Sequence, residues 1–175
     1  LVKNSKALDM LGISGAYCPG RMHAKVLITK GVNTAGYVPD YNKDEAVPLL
    51  FWGMMEPPAR DVHIHDQLRG ARMILFQKKF EDFEREVRTA LDGLLGPAGF
   101  NVTEDILAIT VNRWPHGYSY GYLDLWDKKY KTGEAPHEIA RQPVGNISIA
   151  NCDAAASAYS QSAIEESFRA VNELE

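Results

Sequence analysis

The chain has 175 residues, and its hydrophobic share of 45% and charged share of 24% are typical of one globular domain. Nineteen basic and 23 acidic residues give a net charge of -4, so no basic excess is available for a phosphate backbone, and nucleic acid is not expected as a partner. Two isolated cysteines, Cys18 and Cys152, exclude a disulfide framework.

The sequence predicts no transmembrane segment, because it contains no run of about eighteen apolar residues. The chain opens with Leu1-Val2-Lys3, without an initiator methionine or a signal peptide. We therefore expect a fragment or a processed chain. Its localisation, periplasmic or cytoplasmic, stays open.

Short strands are predicted first. Residues 24–30 (AKVLITK) are β-branched and typical of a strand. Residues 48–55 (PLLFWGMM) form a continuous apolar run, which predicts a strand buried on both faces. In residues 61–66 (DVHIHD) the alternation predicts an extended segment with His63 and His65 on one side.

A long helix is predicted over about residues 76–95, where apolar side chains recur every three or four positions between charged ones. Its apolar stripe consists of Phe76, Phe80, Phe83, Val87, Ala90, Leu91 and Leu94. Gly96-Pro97 is a stop signal that ends the helix.

The second half begins with a predicted strand over 105–111 (DILAITV), which runs into the unusual segment 112–118 (NRWPHGY). Residues 124–138 are charged and predicted to lie at the surface, and 146–151 (NISIAN) predicts a short strand. A terminal helix over 154–174 carries an apolar stripe of Ile164, Phe168, Val171 and Leu174. The fold class is therefore mixed α/β, or α+β, and the elements do not repeat as the βαβ units of a complete doubly wound domain.

The turn before the terminal helix is a candidate binding site. Its small residues, including Ala154, would let a ligand approach the backbone, and a helix N-terminus offers unpaired N–H groups. Asp153 could accept hydrogen bonds from sugar-type hydroxyls. The residues alone favour a simpler interpretation, in which Asp153 caps the helix and the alanines allow tight packing.

The segment 112–118 is a second candidate. Trp114 and Tyr118 could line an apolar slot for methylene groups or contact cations through their π faces. His116 could orient a substrate or accept a proton. The alternative is a packed aromatic corner in which His116 binds a backbone carbonyl.

No metal site is predicted. His63 and His65 have a spacing that suits two ligands on one strand, but no third ligand lies at a useful distance in the sequence. The sequence also lacks a CxxCH motif for covalent haem attachment. A haem bound by His63, His65 or His116 is therefore possible but is supported by no sequence motif.

The stretch 143–174 (PVGNISIANCDAAASAYSQSAIEESFRAVNEL) resembles the C-terminal flavin-binding segment of FAD-dependent amine oxidoreductases. Within that superfamily it is most similar to bacterial spermidine dehydrogenase-like flavoproteins. The segment 99–118, with NRWPHGY, agrees with this resemblance, as does the helix that ends in FEREVRTALDGLLGPAGF. The apolar run 49–55 is similar to strands of the substrate domain in such enzymes.

The resemblance implies the C-terminal part of that fold. Residues 1–142, with the helix at about 76–95 and NRWPHGY, would belong to the substrate domain, and 143–175 would be the last strand and helix of the FAD domain. The family's G-x-G-x-x-G turn is absent, because Gly12-Ile13-Ser14-Gly15 has the wrong spacing. We therefore expect a missing N-terminal half, or a second chain, to carry the Rossmann fold.

The resemblance also implies roles for individual residues. Asp153 matches the acidic residue near the ribityl chain of FAD, and the helix start faces the pyrimidine side of the flavin ring. The cofactor-binding residues implied are Asn146, Asp153, Ala154, Ser157, Ala158 and Tyr159. The catalytic or substrate-contacting residues implied are Trp114, His116 and Tyr118.

The function expected is that of a fragment or subunit of a FAD-dependent oxidoreductase. Its substrate would be a small amine, such as the polyamine spermidine, oxidised by hydride transfer to flavin. A second hypothesis is a non-catalytic partner subunit or remnant that completes the fold of a Rossmann-containing chain, with sheet edges that await neighbours. A third is a small-molecule binding module without redox chemistry.

Overall fold

A computed structural model describes residues 1–29, 35–36 and 42–174. Within these residues the fold is mixed α/β, with a small antiparallel sheet and five α-helices. The strands are β1 (Gly15–Tyr17), β2 (Lys25–Ile28) and β3 (Leu49–Trp52). The helices are α1 (Lys6–Leu11), α2 (Ile64–Gln77), α3 (Phe80–Leu95), α4 (Pro136–Ala140) and α5 (Ser160–Asn172).

The chain divides into two compact units, Leu1–Arg113 and Trp114–Glu175. The first contains the sheet and helices α1 to α3, and the second contains α4 and α5. The division falls inside the NRWPHGY segment, so Trp114, His116 and Tyr118 belong to the second unit. The assignment of 1–142 and 143–175 to two domains of a flavoenzyme stays a prediction.

The sheet has the order β1-β2-β3, with Gly15 opposite Leu27 and Lys25 opposite Trp52. The strand predicted at 24–30 is confirmed over Lys25–Ile28, and Lys30 lies outside the described residues. β3 is not buried on both faces as predicted. It lies at the edge of the sheet, and only its odd-numbered side chains turn inward, so its side chains alternate between half-buried and exposed.

The core of the first unit forms around α3, whose apolar side is turned inward. Leu91 and Leu95 are each only 1% exposed and pack with Leu8 of α1. Burying a leucine contributes about 1.5–3 kcal/mol, so this helix face is a main source of stability. Gly99, with φ of +83°, closes the 3₁₀ turn Gly96–Ala98 that follows α3, in a conformation that favours glycine.

The helix predicted at about 76–95 is confirmed from Phe80 onward, but its first residues belong to a different helix. Lys78 and Lys79 are extended, with ψ of 135° and 165°, and they separate α2 from α3. The carboxylate of Asp82 accepts a hydrogen bond of 3.1 Å from the Lys79 N–H and so starts the new helix. Phe76 is therefore exposed on α2 rather than aligned with the stripe of α3.

Two other predictions in the first unit are wrong. Residues 61–66 are not extended, because the Nδ1 atom of His63 accepts a hydrogen bond from the N–H of His65 and caps α2. Residues 105–111 form no regular strand, since only Ile106 makes a bridge, opposite Val2. The rest of that segment finds no ladder partner among the residues described.

The end of the chain also differs from the predicted strand and helix. Val144 and Ile147 bridge around Gly145, whose φ is +58°, so 146–151 is a tight turn and an irregular segment rather than a strand. Asn151 and Ala156 have φ of +98° and +49°, which no α-helix tolerates. The last helix therefore begins at Ser160 instead of residue 154. No helix in the described part of the chain has the length and apolar character to cross a membrane.

Candidate functional site

The predicted cofactor turn, residues 152–156, is part of a series of tight turns over 151–156 that ends four residues before α5. The Asp153 N–H donates a hydrogen bond of 2.7 Å to the side-chain oxygen of Asn151. Ala154 is buried, whereas the Asp153 side chain is exposed. Since Asp153 lies seven residues before Ser160, it does not cap the helix, and its carboxylate faces solvent.

Backbone strain is concentrated in the second unit. Of the four non-glycine residues with positive φ in the described ranges, three lie there: Tyr118, Asn151 and Ala156. A left-handed conformation costs about 1–2 kcal/mol for a residue with a Cβ atom. Such strain is found at functional sites more often than elsewhere, and all three residues lie in the segments that the sequence singled out.

The N-terminus of α5 has no side-chain cap. Tyr159 is the N-cap residue, with φ of -128° and ψ of 148°, and it makes no capping hydrogen bond. The first turn holds no acidic residue, and the Ser162 hydroxyl bonds the Ser157 hydroxyl at 2.9 Å rather than the helix backbone. The backbone N–H groups at this end, with their partial positive charge, are therefore available to a hydrogen-bond acceptor from outside the helix.

A network of ion pairs holds the turn against α5. Arg141 donates from one nitrogen to the Ala154 carbonyl at 3.0 Å and to the Glu166 carboxylate at 2.6 Å. Arg169 bonds the second oxygen of Glu166 at 2.7 Å and also donates to the Ile149 carbonyl. Glu166 is only 8% exposed, so its charge is balanced by two arginines in a largely dry environment.

The same network continues to the end of the helix. The hydrogen bond from the Ser148 hydroxyl, followed by the one from Arg169, lowers the pKa of Glu173. Burial alone would lower the pKa of Arg169, but hydrogen bonds from its guanidinium to Glu173 and Glu166 outweigh it and raise the pKa. Arg141 and Arg169 thus fix both flanks of the irregular segment 149–154.

The three predicted catalytic residues lie at the surface of the second unit. Trp114 is 76% exposed and Tyr118 is 85% exposed, and His116 is also exposed. No hydrogen bond of these three side chains is formed within the described residues. A packed aromatic corner is therefore not formed, and the side chains are accessible to a ligand.

The chain just after the NRWPHGY segment passes beside the predicted turn. A side-chain carbon placed on Gly121 would lie 3.8 Å from the Ala156 carbonyl oxygen, so the chain that follows Tyr118 passes beside the turn. Ser157 and Ala158 lie between that turn and the N-cap Tyr159. Asn146 does not start a strand, and it is exposed in the tight turn between Val144 and Ile147.

The second unit contains a tyrosine cluster that was not predicted from the sequence. The ring of Tyr122 lies 5.5 Å from Tyr120 and 5.8 Å from Tyr130, and its hydroxyl lies 3.0 Å from Nδ1 of His137. The hydrogen bond from the Tyr120 hydroxyl to Asp127, at 2.6 Å, raises the pKa of Tyr120 to about 12. The sequence feature that could have indicated this cluster is the alternation of tyrosines at 118, 120 and 122.

The histidine pair lies at the start of α2. The rings of His63 and His65 lie 4.9 Å apart at the start of α2, where they belong to the helix cap. Within residues 1–29, 35–36 and 42–174 no group of three or more potential ligands is close enough to hold a metal ion.

No protein-family model matches the chain, and no curated protein matches it. The assignment of a function therefore depends on the residues described above, and the relationship of residues 143–174 to flavin-binding segments stays a prediction.

Proposed function

We propose that the chain is part of a FAD-dependent oxidoreductase that oxidises an amine, and that its second unit contributes to the flavin site. The observation that carries the proposal is the N-terminus of α5, which has neither a capping side chain nor an acidic residue in its first turn. It stands beside the turn that resembles a flavin-binding segment. A polar, electron-rich ring edge is the kind of group that such a terminus binds.

The residues of the turn fit parts of FAD. The exposed Asp153 carboxylate is free to accept hydrogen bonds from the ribityl hydroxyls, and the small side chain of Ala154 leaves the backbone accessible. Ser157, Ala158 and Tyr159 precede the helix, where the pyrimidine edge of the ring would lie. The chain offers no binding site for the pyrophosphate of FAD, because it lacks a G-x-G-x-x-G turn.

The chemistry that FAD supplies when bound is acceptance of a hydride from the carbon next to an amine nitrogen. The N-terminus of α5 would stabilise negative charge at the ring edge through its dipole. Trp114 and Tyr118 would contact the methylene groups and cationic nitrogens of the amine. His116 would hold or accept the proton of the substrate ammonium.

Flavin retention in the purified protein tests the proposal. We expect Asp153→Ala to lower the flavin content, measured by absorbance, by several-fold. Glu165→Ala is the matched control, because Glu165 is an exposed carboxylate on α5 and should leave the content unchanged. Equal flavin content in both variants and the parent would show that Asp153 does not bind the flavin. Absence of flavin bands when the chain is assembled with a Rossmann-containing partner would contradict the proposal.

The second candidate function is that of a non-catalytic partner that completes another chain. It is favoured by the outward apolar stripe of α5, in which Phe168 is 70% exposed. An absorbance spectrum and an intact mass, taken together, discriminate the two. Flavin bands with a second polypeptide support an assembled oxidoreductase, whereas a second polypeptide without flavin supports the partner function.

A further inference from the structure

The tyrosine cluster of the second unit has an inner member with its own base. The hydroxyl of Tyr122 lies 3.0 Å from Nδ1 of His137, and the two rings lie 5.4 Å apart. A neutral imidazole accepts a hydrogen bond at one ring nitrogen, and Nδ1 fills this role for Tyr122 when the ring proton is on Nε2. The phenolic proton of Tyr122 then has an acceptor within hydrogen-bond distance.

The outer members of the cluster connect Tyr122 to the surface. The rings of Tyr120 and Tyr130 lie 5.5 Å and 5.8 Å from the ring of Tyr122. Tyr120 is 52% exposed and Tyr130 is 37% exposed, whereas Tyr122 is half-buried. Rings at such separations are in contact, so an electron can pass from the inner ring to an outer one without crossing solvent.

Tyr120 and Tyr122 differ in the base that would receive their proton. Tyr120 donates to the Asp127 carboxylate at 2.6 Å, and this bond raises the pKa of Tyr120 to about 12. The same carboxylate also accepts a hydrogen bond from the Leu123 N–H at 2.7 Å, which makes it a still weaker base. An oxidised phenol is a very strong acid, so its radical persists only where a base takes the proton. Because an imidazole is a stronger base than a carboxylate, oxidation is favoured at Tyr122.

The surroundings of His137 suit an imidazolium. The carboxylate of the adjacent Glu138 accepts hydrogen bonds from the Ala135 N–H at 3.2 Å and from the Gly133 N–H at 2.8 Å. These bonds hold the pKa of Glu138 below its ordinary value, so its negative charge is present at neutral pH. A proton that moves to Nδ1 of His137 therefore arrives beside an opposite charge.

We propose that Tyr122 and His137 form a redox-active pair, which takes up the oxidising equivalent of a peroxyl radical that meets the tyrosine cluster. One electron leaves the ring of Tyr122 for the peroxyl radical, through Tyr120 or Tyr130, and the phenolic proton moves to Nδ1 of His137. The peroxyl anion takes a proton from solvent and becomes a hydroperoxide. The protein is left with a neutral tyrosyl radical and an imidazolium.

Partial burial of Tyr122 keeps this radical within one molecule. Two exposed tyrosyl radicals join through a carbon–carbon bond when their molecules collide. The rings of Tyr120 and Tyr130 shield Tyr122 from this reaction, whereas a radical on either outer ring is open to it. The pair thus favours a long-lived radical over cross-linked dimers. This inference is independent of the flavin proposal, since its step needs no cofactor.

One-electron oxidation of the full chain tests the proposal. The oxidant is tris(bipyridine)ruthenium(III), generated by a light flash with persulfate as electron acceptor, and the radical is followed by flash absorption and electron paramagnetic resonance. We expect a long-lived tyrosyl radical in the parent and its loss in Tyr122→Phe. In His137→Asn an amide oxygen can replace Nδ1 as hydrogen-bond acceptor but is not a base. We therefore expect the radical to form about a hundredfold more slowly, the lower end of what a positioned base contributes.

Tyr17→Phe is the matched control, because Tyr17 is an exposed tyrosine on β1, outside the cluster, and its loss should leave the radical unchanged. With peroxyl radicals from a water-soluble azo initiator, Tyr122→Phe should give more dityrosine-linked dimer than the parent, and Tyr17→Phe should not.

The parent protein also provides a test that needs no variant. A hydrogen bond from the protonated Nδ1 to the radical oxygen lowers the largest g value, which high-field electron paramagnetic resonance measures. A parent without a long-lived tyrosyl radical would overturn the proposal, and so would a radical whose oxygen accepts no hydrogen bond. An equal yield in Tyr122→Phe, or an equal rate in His137→Asn, would overturn it as well.

Discussion

Helices α3 and α5 have similar amphipathic sequences but pack in opposite ways. α3 has 16 residues and turns its apolar side inward. α5 has 13 residues and turns its polar side inward. The buried residues of α3 are Phe83, Val87, Ala90, Leu91 and Leu95, whereas those of α5 are Ser162, Glu166 and Ala170.

The difference lies in what each unit offers as a packing surface. The first unit presents Leu8, Val2 and Val47 to α3, so burial of apolar area determines the orientation of the helix. The second unit offers Arg141, which donates hydrogen bonds both to the Ala154 carbonyl and to the carboxylate of Glu166. Hydrophobic periodicity locates a stripe on a helix, but the neighbours decide which side is turned inward.

Truncation of the α3 core should have the largest effect. Leu91→Ala removes a side chain that is 1% exposed and leaves a cavity, so we expect a loss of about 2–5 kcal/mol in the free energy of unfolding of the first unit. Urea unfolding, followed by amide NMR signals of each unit, measures it. A loss below about 1 kcal/mol, the size of a small truncation, would mean that α3 does not anchor the core.

The sequence predicted the elements that depend on local pattern. The helix from Phe80 onward and the strand at Lys25–Ile28 follow from periodicity and β-propensity, which are local properties. The strand predicted at 105–111 required a partner, and the pattern carries no information about whether a partner is present. In the described part of the chain this segment forms one bridge, at Ile106, and the hydrogen bonds of Leu107 and Ala108 with Leu1, but no strand.

For the candidate site, the sequence located segments but not their geometry. The turn at 152–156 and the exposed Trp114, His116 and Tyr118 were singled out from residue type. Helix α5 begins six residues later than predicted, and the sequence pattern does not reveal this shift, because it depends on positive φ at Asn151 and Ala156. The Arg141–Glu166 pair joins residues 25 positions apart, a separation that no local pattern records.

Removal of the charge of Glu166 should have the next largest effect. Glu166→Gln keeps the side-chain volume but leaves Arg141 and Arg169 without their shared carboxylate, so we expect a loss of about 2–4 kcal/mol in the second unit. The control is Glu165→Gln on the exposed side of the same helix, for which no change is expected. The measurement is amide exchange of α5, and equal exchange in both variants would contradict the role of the network.

Falling pH should weaken the two units in different ranges. Burial lowers the pKa of His23 from its ordinary 6.5. The unfolded imidazole therefore binds a proton more readily, and the stability of the first unit falls as the pH drops below about 6.5. In the second unit the Ser148 hydroxyl and Arg169 lower the pKa of Glu173, so its contribution is present above the ordinary 4.5 and is lost as the pH falls below that value.

Thermal unfolding of each unit between pH 7 and pH 3 measures these two transitions. His23→Gln is the control for the first, because glutamine does not titrate, and it should flatten the decline near pH 6. Glu173→Gln should do the same for the second unit near pH 4. Coincident transitions in the parent protein would show that at least one of the two groups does not set the pH dependence of its unit.

The smallest effect is expected on the apolar stripe of α5. Phe168 is 70% exposed, so Phe168→Ser removes little buried area, and we expect the free energy of unfolding of the second unit to change by no more than about 0.5 kcal/mol. The same urea titration as for Leu91→Ala measures it and makes the two helices directly comparable. A loss near that of Leu91→Ala would mean that Phe168 is buried in solution and that the stripe is covered. A small effect would confirm that α5 is held by its polar side, because a helix whose stability came from its apolar face could not lose its largest apolar side chain at so little cost.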